Sequence, residues 1–338
     1  MTLTLAVQAF RGPILESRHE CQAAVCDVEG RLHAGTDDPW LVTTFRSSAK
    51  PFQLLPLVER GHAERWGFDD EQVAVMAASH TGSPYHLRLV AGILERIGLD
   101  ASHLACGFHD PMDPVSLAEV RVNPGLRSSM CNNCSGNHAG MLALARSEGW
   151  PIEGYEHADH PVQQLMRRIV ADVCGVGADD LATATDDCGV VAFAAPLAVM
   201  ARGYARFAAA AAGGETRERS LHRIRTAMSS YPQAAGGAGR SSTHLMEITR
   251  GRVIAKGGAE GLECMGIPGR GLGVAVKCVD GAGRAVAPAA IALLEHMGLL
   301  SESERSRLAT LRAPVLRNHA GLEVGRLEAI VEALSPSV

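Results

Sequence analysis

Apolar and polar positions alternate with two different periods along this chain, and each period occupies its own region. Near the N-terminus, a two-residue alternation over residues 21–28 and 31–34, with Glu29 and Gly30 between them, predicts a β-hairpin. In the middle of the chain the apolar positions return at helical spacing, and glycine or proline residues interrupt them. This spacing predicts helices that begin at about Ser47 and then cover residues 70–77, 85–97, 137–148, 160–173, 194–212 and 215–230.

Short runs rich in β-branched residues appear again towards the C-terminus. They predict strands at residues 253–256, 263–267, 273–279 and 322–326, with helices at 286–298 and 301–311. The strands near both ends can form one antiparallel sheet, so we expect an α+β fold in which helices flank that sheet and a large helical insertion interrupts it. Residues 1–45 and 240–338 would form the sheet domain. Residues 46–239 would form a mainly helical domain.

Composition and charge narrow the class of protein. The chain has 338 residues, is 46% hydrophobic and carries a formal charge of −5, so it can bury a full core. No basic run is present, which makes nucleic acid and anionic membranes poor partners. The first residues lack the features of a signal peptide, and nine cysteines, an odd number, indicate reduced thiols. We therefore expect a cytoplasmic protein.

Lysine is rare here, and its positions are informative. The chain has three lysines among 32 basic residues, and two of the three lie in short motifs. Ser47 precedes Lys50 by three residues, Ser79 follows a predicted helix, and Lys256 ends a predicted strand before two glycines. Ser-x-x-K, a serine turn and a K-x-G strand, in this order, are the signature of penicillin-binding proteins and class A β-lactamases. A lysine can remove the proton of a serine hydroxyl, which arginine cannot do.

Each lysine also has a simpler interpretation. Lys50 would then be a solvated residue at a helix start, and Lys256 a surface charge on an edge strand. The three motifs together favour serine–lysine acyl transfer.

Cysteine and histidine form a second candidate site. Cys131 and Cys134 have C-x-x-C spacing and precede His138, while Asp186 and Cys188 follow about fifty residues later. Thiolates and imidazole are ligands that suit zinc. The alternative is that these cysteines are buried as small apolar groups.

At these residues the chain resembles a known family. The matching segments are RSSAKPFQLLPL, SHTGSPYH, CNNCSGNHAGML, DDCGVVAFAAPL and KGGAEG, with ESRHE near the start. They resemble the rhizobial-type (class 3) L-asparaginases, which hydrolyse L-asparagine to L-aspartate and ammonia. The resemblance implies a fold of the serine β-lactamase and glutaminase type.

The resemblance also implies roles for individual residues. Ser47 would pair with Lys50, and Ser79 with Lys256. A zinc ion would be held by Cys134, Cys188 and a lysine, but Asn137 stands in place of that lysine. Because a carboxamide is not a usual zinc ligand, the zinc is in doubt.

We therefore expect an L-asparaginase in which Ser47 attacks the amide carbon and Lys50 is the general base. The residues expected to bind substrate are Arg46, His138, Asp186 and Ser242. The alternatives are a β-lactam-binding or esterase-like serine enzyme, and a non-catalytic protein that binds a metal or an amino acid. A homodimer is expected.

Overall fold

The computed structural model describes residues 1–333 and divides the chain into two compact units. The first unit, called the sheet unit below, contains Met1–Thr43, Ala195–Ala209 and the chain from His244 onward. The second, the helical unit, contains Thr44–Ala194 and Ala210–Thr243.

An antiparallel sheet forms the centre of the sheet unit. The strands of the chain are β1 (Leu3–Arg11), β2 (Ile14–Asp27), β3 (Leu32–Gly35), β4 (Val42–Thr44), β5 (Ala182–Thr185), β6 (Val191–Pro196), β7 (Ile254–Gly258), β8 (Leu262–Ile267), β9 (Leu272–Cys278), β10 (Val315–Arg317) and β11 (Glu323–Ala333). Eight of them pair in the order β10–β11–β1–β2–β9–β8–β7, with β3 also on β2. Strands β4, β6 and β5 form a separate small sheet in that order.

Fourteen α-helices lie within residues 1–333. They are α1 (Lys50–Gln53), α2 (Leu55–Glu59), α3 (His62–Arg65), α4 (Asp70–Met76), α5 (Pro84–Arg96), α6 (Pro114–Val122), α7 (Ser135–Glu148), α8 (Pro161–Cys174), α9 (Leu197–Ala209), α10 (Thr216–Ser230), α11 (Pro232–Ala235), α12 (Ser241–Thr249), α13 (Gly283–His296) and α14 (Glu302–Arg312). Short 3₁₀ helices cover Arg46–Ala49, Ala101–His103, Pro124–Leu126, Ser129–Cys131, Ala178–Asp180 and Pro268–Arg270. This architecture confirms the predicted α+β class, with a largely helical segment inserted between the strands of an antiparallel sheet.

One helix belongs to a different unit from the one the sequence indicated. The sequence placed residues 195–209 within the helical domain, but α9 packs on β9 and is part of the sheet unit. The close approach depends on Gly273, since a Cβ atom there would lie 1.9 Å from the carbonyl oxygen of Ala201. On the opposite face of the sheet, α13 and α14 complete an apolar core that includes Val7, Val276 and Leu308.

Two helices of the helical unit, α4 and α7, position the segments that contain Ser79 and Cys134. Helix α4 begins with a capping box, in which Asp69 accepts the Gln72 N–H at 2.8 Å and Gln72 accepts the Asp69 N–H at 3.3 Å. Helix α7 crosses α4 so closely that a Cβ atom at Gly136 would lie 2.3 Å from the Val75 carbonyl oxygen. The C-terminal end of α4 and the N-terminal end of α7 are thereby held side by side.

All three lysine side chains are buried, with 3% exposure at Lys50, 3% at Lys256 and 7% at Lys277. Both simpler interpretations, a solvated Lys50 and a surface Lys256, are therefore wrong. Across residues 1–333, no helix combines the length and the apolar composition that crossing a membrane requires.

Candidate active site

The segment with the Ser-x-x-Lys motif forms a tight turn. The 3₁₀ helix Arg46–Ala49 passes directly into α1, and the Lys50 N–H donates to the Ser47 carbonyl. Residues three apart eclipse one another in a 3₁₀ helix, so the side chains of Ser47 and Lys50 leave the backbone on the same face. The single helix predicted from Ser47 is divided into α1 and α2, because Pro56 can neither donate a backbone hydrogen bond nor fit against the carbonyl four residues earlier.

Arg46 holds this turn in an unusual backbone conformation. Its φ is +45°, in the left-handed region that residues other than glycine seldom adopt. Its Nε donates to Asp186 Oδ1 at 3.1 Å, and its Nη2 donates to Asp187 Oδ2. These ion pairs tie the Ser47 turn to the turn between β5 and β6. Arg46, expected to bind substrate, is thus bonded to two carboxylates of the protein.

Lys50 makes its hydrogen bond to Ser79. The Lys50 Nζ donates to Ser79 Oγ at 3.1 Å, and Ser79 is only 2% exposed. The sequence predicted that Lys50 pairs with Ser47 and that Ser79 pairs with Lys256. The observed contact between Lys50 and Ser79 therefore links the two predicted pairs. A buried ammonium group is costly unless hydrogen bonds satisfy it, and this bond places a lysine and a serine hydroxyl in proton-transfer distance.

The two expected cysteines lie together beside Lys50. Cys134 precedes α7, Cys188 lies in the β5–β6 turn, and both are buried. A hydrogen bond from the Cys188 thiol lowers the pKa of Cys134 to about 5, helped by the Lys50 ammonium and opposed by burial. The same bond raises the pKa of Cys188. The hydrogen bond between the two side chains therefore favours the thiolate form of Cys134 and the neutral form of Cys188.

His138 is a neutral, fully buried imidazole. Burial, followed by the Lys50 charge, lowers the pKa of His138 to about 3. Its Nδ1 lies 2.6 Å from the Tyr155 hydroxyl oxygen, which also accepts the Ala105 N–H at 2.9 Å. We assign the tautomer in which Tyr155 donates its hydroxyl proton to Nδ1, because no other acceptor for that proton is present within residues 1–333, and the hydrogen of His138 then lies on Nε2. Nε2 is buried and has no hydrogen-bond partner within the protein, which leaves a donor for a ligand.

His80, which the sequence analysis did not select, fixes the segment that follows Ser79. Its Nδ1 accepts the Gly82 N–H at 3.1 Å, so Nε2 donates to Ser135 Oγ at 2.9 Å. Its backbone N–H donates to the Asn133 carbonyl at 3.1 Å. Burial lowers the pKa of His80 well below its usual value, and the ring stays neutral. His80 therefore joins the Ser79 segment to the start of α7.

Zinc does not fit the residues at this position. Asn137, which replaces the expected lysine, donates its amide N–H to the Met76 carbonyl at 3.3 Å. A third ligand is missing, since nowhere in residues 1–333 do three His, Cys, Asp or Glu side chains converge as a metal site requires. A tetrahedral zinc site needs at least three protein ligands.

The remaining expected residues lie in different parts of the chain. Asp186 is 15% exposed and bonded to Arg46. Ser242 lies in the first turn of α12 within the helical unit and is buried. Lys256 lies on β7 of the sheet unit, and its Nζ donates to the Gly257 carbonyl at 2.9 Å. The partnership of Lys256 with Ser79 stays a prediction.

Within the helical unit the structure therefore brings together Lys50, Ser79, Cys134, Cys188 and His138. Sequence reasoning missed Tyr155 and His80. His80 was visible because it follows Ser79 directly. Nothing in the sequence connected Tyr155 with His138, which lies seventeen residues earlier.

Three comparisons with known proteins were made, and one of them shows the family. The family model for L-asparaginase II matches residues 7–329. No curated protein sequence gives a significant match. Among solved structures, the chain is similar to a β-lactamase from Mycobacterium bovis, with 16% identity, 82% of this chain and 94% of that chain covered, and a TM-score of 0.41. It is also similar to the Bacillus subtilis glutaminase in covalent complex with 5-oxo-L-norleucine, with 11% identity, 86% and 92% coverage, and a TM-score of 0.38.

Proposed function

Because the chain belongs to the L-asparaginase II family, we propose that this amidohydrolase converts L-asparagine to L-aspartate and ammonia through a serine acyl-enzyme. The observation that carries the mechanism is the buried hydrogen bond of 3.1 Å from Lys50 Nζ to the Ser79 hydroxyl. A buried lysine in contact with a serine is the arrangement that proton transfer to and from a hydroxyl requires.

In the first half of the reaction, Ser47 is the nucleophile. Ser47 is partly exposed whereas Ser79 is buried, so a substrate can reach Ser47 more readily. Neutral Lys50 removes the Ser47 proton, and Ser47 Oγ forms a bond to the side-chain amide carbon of asparagine. The carbon–nitrogen bond then breaks. The departing nitrogen receives its proton from Lys50 through the Ser79 hydroxyl, and ammonia leaves.

In the second half, water attacks the aspartyl ester of Ser47. Lys50 removes a proton from that water and returns it to Ser47 Oγ, which releases L-aspartate. We propose that Lys256 shares a proton network with Ser79.

Substrate binding uses the polar groups around this pair. The proton on His138 Nε2, which has no partner in the protein, is a donor for a substrate carboxylate or carbonyl. Asp186 offers a carboxylate to the substrate ammonium group, and Arg46 holds that carboxylate in place. Ser242 is proposed as a further hydrogen-bonding residue.

The test measures ammonia release from asparagine and from glutamine, and ring opening of a chromogenic β-lactam by its change in absorbance. We expect turnover of asparagine above the other two. A diazoketone analogue of asparagine, followed by peptide mass spectrometry, identifies the alkylated residue. Labelling of Ser47 supports the mechanism, and labelling of Ser79 reverses the roles of the two serines. Hydrolysis of the β-lactam without ammonia release from asparagine would contradict the proposed activity.

Two further expectations belong to the same proposal. We propose a cytoplasmic location, supported by nine buried cysteines that are all free thiols. The homodimer stays a prediction, and light scattering on the purified protein tests it.

A further inference from the structure

A short chain of hydrogen bonds with one fixed direction ends at His138. The Ala105 N–H donates to the Tyr155 hydroxyl oxygen at 2.9 Å, and that oxygen lies 2.6 Å from His138 Nδ1. A backbone N–H can only donate, so the hydroxyl oxygen accepts there and directs its own proton elsewhere. Within residues 1–333, His138 Nδ1 is the acceptor that the hydroxyl proton meets. The backbone amide therefore sets the direction of both bonds.

Tyr155 is held at both its backbone and its side chain. It is buried, and its ring meets the His138 ring edge to face, with the two centroids 5.5 Å apart. Gln163 Nε2, on α8, donates to the Tyr155 carbonyl at 2.9 Å. Burial raises the pKa of the Tyr155 hydroxyl, so this group keeps the proton that it donates. Tyr155 is therefore a neutral donor in a fixed position.

The amide at the start of this chain of hydrogen bonds is tied to the helix that carries His138. Asn132 Nδ2 donates to the Cys106 carbonyl at 2.8 Å, and Asn132 Oδ1 accepts the Cys134 N–H at 2.9 Å. Cys106 directly follows Ala105, and Cys134 directly precedes α7. Because Asn132 bridges the two segments, the Ala105 N–H keeps its position relative to His138.

We propose that Tyr155 is a positioning residue for the hydrolysis of asparagine and that it acts through His138. Its hydroxyl holds the orientation of the imidazole ring and keeps the ring proton on Nε2. This inference rests on the proposed function, in which Nε2 donates to the substrate. The bond from Tyr155 then makes His138 select a substrate group that accepts a hydrogen bond, such as a carboxylate or carbonyl oxygen. A ring that carried its proton on Nδ1 would present an acceptor to the substrate instead.

The first experiment determines the tautomer and does not depend on enzyme activity. Long-range proton–nitrogen correlation spectra of the full chain with isotope-labelled histidine, recorded near neutral pH, show which nitrogen of each ring carries a proton. The signal that disappears in His138→Gln identifies His138. We expect the Nε2–H tautomer in the natural protein. Either the Nδ1–H tautomer or a doubly protonated ring there would overturn the proposal.

The same spectra show whether Tyr155 makes the bond to Nδ1. Tyr155→Phe keeps the aromatic ring and removes the hydroxyl, so we expect it to shift the Nδ1 resonance of His138. Tyr231→Phe removes the hydroxyl of a more exposed tyrosine and is the matched control, in which that resonance should not move. An unchanged Nδ1 resonance in folded Tyr155→Phe would also overturn the proposal.

Kinetics test whether the effect of Tyr155 passes through His138. We expect Tyr155→Phe to raise the KM for asparagine about tenfold and to change kcat less than about threefold, because the hydroxyl supports a hydrogen bond used in substrate binding. His138→Leu should raise KM at least as much. Tyr155→Phe added to His138→Leu should raise KM no further, since residues that act through one group are not additive.

The outcomes separate this inference from the proposed function. A normal KM in folded Tyr155→Phe, or a further tenfold rise in the double variant, would show that Tyr155 does not act through His138. Circular dichroism checks that each variant folds, and His138→Phe replaces His138→Leu if the latter does not. If the natural protein releases no ammonia from asparagine, the proposed function fails, while the spectra still decide whether Tyr155 fixes the tautomer of His138.

Discussion

A single amine lies at the centre of the candidate site. The Lys50 ammonium donates to Ser79, contributes to the low pKa of Cys134 and helps keep His138 neutral. Its charge therefore acts on a hydroxyl, a thiolate and an imidazole in the same buried region. Removing the charge and removing the capacity to exchange a proton are separate changes, and substitutions can distinguish them.

Lys50→Arg retains the charge but cannot exchange a proton at neutral pH. We expect kcat/KM for asparagine to fall at least about a thousandfold in Lys50→Arg and in Lys50→Met, because nucleophile and base act as one unit. Lys277→Met, which removes another buried lysine whose Nζ donates to the Cys278 carbonyl at 2.5 Å, is the matched control. If Lys50→Arg turned over asparagine at a near-normal rate, Lys50 would contribute only charge.

Asn137→Lys tests the missing metal ligand. We expect the purified natural protein to carry far less than one zinc per chain, and Asn137→Lys to bind zinc more tightly, since a neutral lysine amine adds a nitrogen donor beside the two cysteines. Elemental analysis after dialysis gives the metal content, and Asn137→Leu serves as the variant that adds no donor. Stoichiometric, chelator-resistant zinc in the natural protein would show that the present residues complete the site.

His138 makes stability depend on pH. Its pKa of about 3 in the folded protein lies below the value of about 6.5 in an unfolded chain, so the unfolded state binds more protons between these values. The free energy of unfolding therefore falls as pH falls through this window, by about 2–3 kcal/mol from this residue at pH 4.5. Urea unfolding at several pH values should show a shallower fall in His138→Gln, with exposed His319→Gln as the control. Identical slopes in all three proteins would exclude this contribution.

At the scale of elements, α4 shows how a local sequence signal positions Ser79. The Asp69 capping box fixes where α4 begins, and Ser79 follows three residues after the helix ends. We expect Asp69→Ala to lower the free energy of unfolding by about 1 kcal/mol, because the cap satisfies a backbone N–H that would otherwise lack a partner. Asp70→Ala, next along the chain, removes an exposed carboxylate without removing the cap. Urea unfolding of both variants separates capping from charge, and an equal loss in the two would contradict the capping role.

Helices whose ends are marked by glycine or proline in the sequence were predicted well. Strands that form by pairing with segments far away in the sequence were missed. Residues 137–148 and 160–173 correspond to α7 and α8, whose ends carry glycine or proline. Strand β1 was missed, although its buried positions alternate, because its partners β2 and β11 include the far end of the chain. The β5–β6 pair was also missed, since β5 has only four residues and all four are exposed. Its turn nevertheless carries Asp186 and Cys188.

The residues of the candidate site also separate into those that the sequence indicates and those that only the folded chain brings into contact. Ser47 and Lys50 follow from motif spacing, and the pairing of Cys134 with Cys188 follows from the family resemblance. The bond from Lys50 to Ser79 spans 29 residues, and the bond from His138 to Tyr155 depends on how a loop returns to α7. Such contacts arise from tertiary packing, which the spacing of residues within a short motif does not predict.

At the scale of the whole molecule, the sheet unit joins the two ends of the chain. Strand β1 pairs with β11 from Leu3↔Ala333 to Arg11↔Gly325, and β2 pairs with β9. These pairings connect segments that are hundreds of residues apart, and such long-range contacts slow folding. In the helical insertion, the segments that contact each other lie closer together in the sequence, for example α4 with α5 and α7. We therefore expect its helices to become protected from hydrogen exchange before the sheet does during refolding.

The burial of Lys50, Lys256 and Lys277 has a practical consequence for anyone who handles this protein. Amine-directed reagents such as activated esters and aldehydes act on exposed lysines, and this chain presents no lysine side chain at its surface. Attachment to an amine-reactive support or dye will therefore be inefficient through side chains. Any reagent small enough to enter the interior meets Lys50 and Lys256 among only three side-chain amines, so modification and loss of activity should rise together. Coupling through the surface carboxylates, or through a lysine engineered at an exposed arginine position such as Arg18, avoids that conflict.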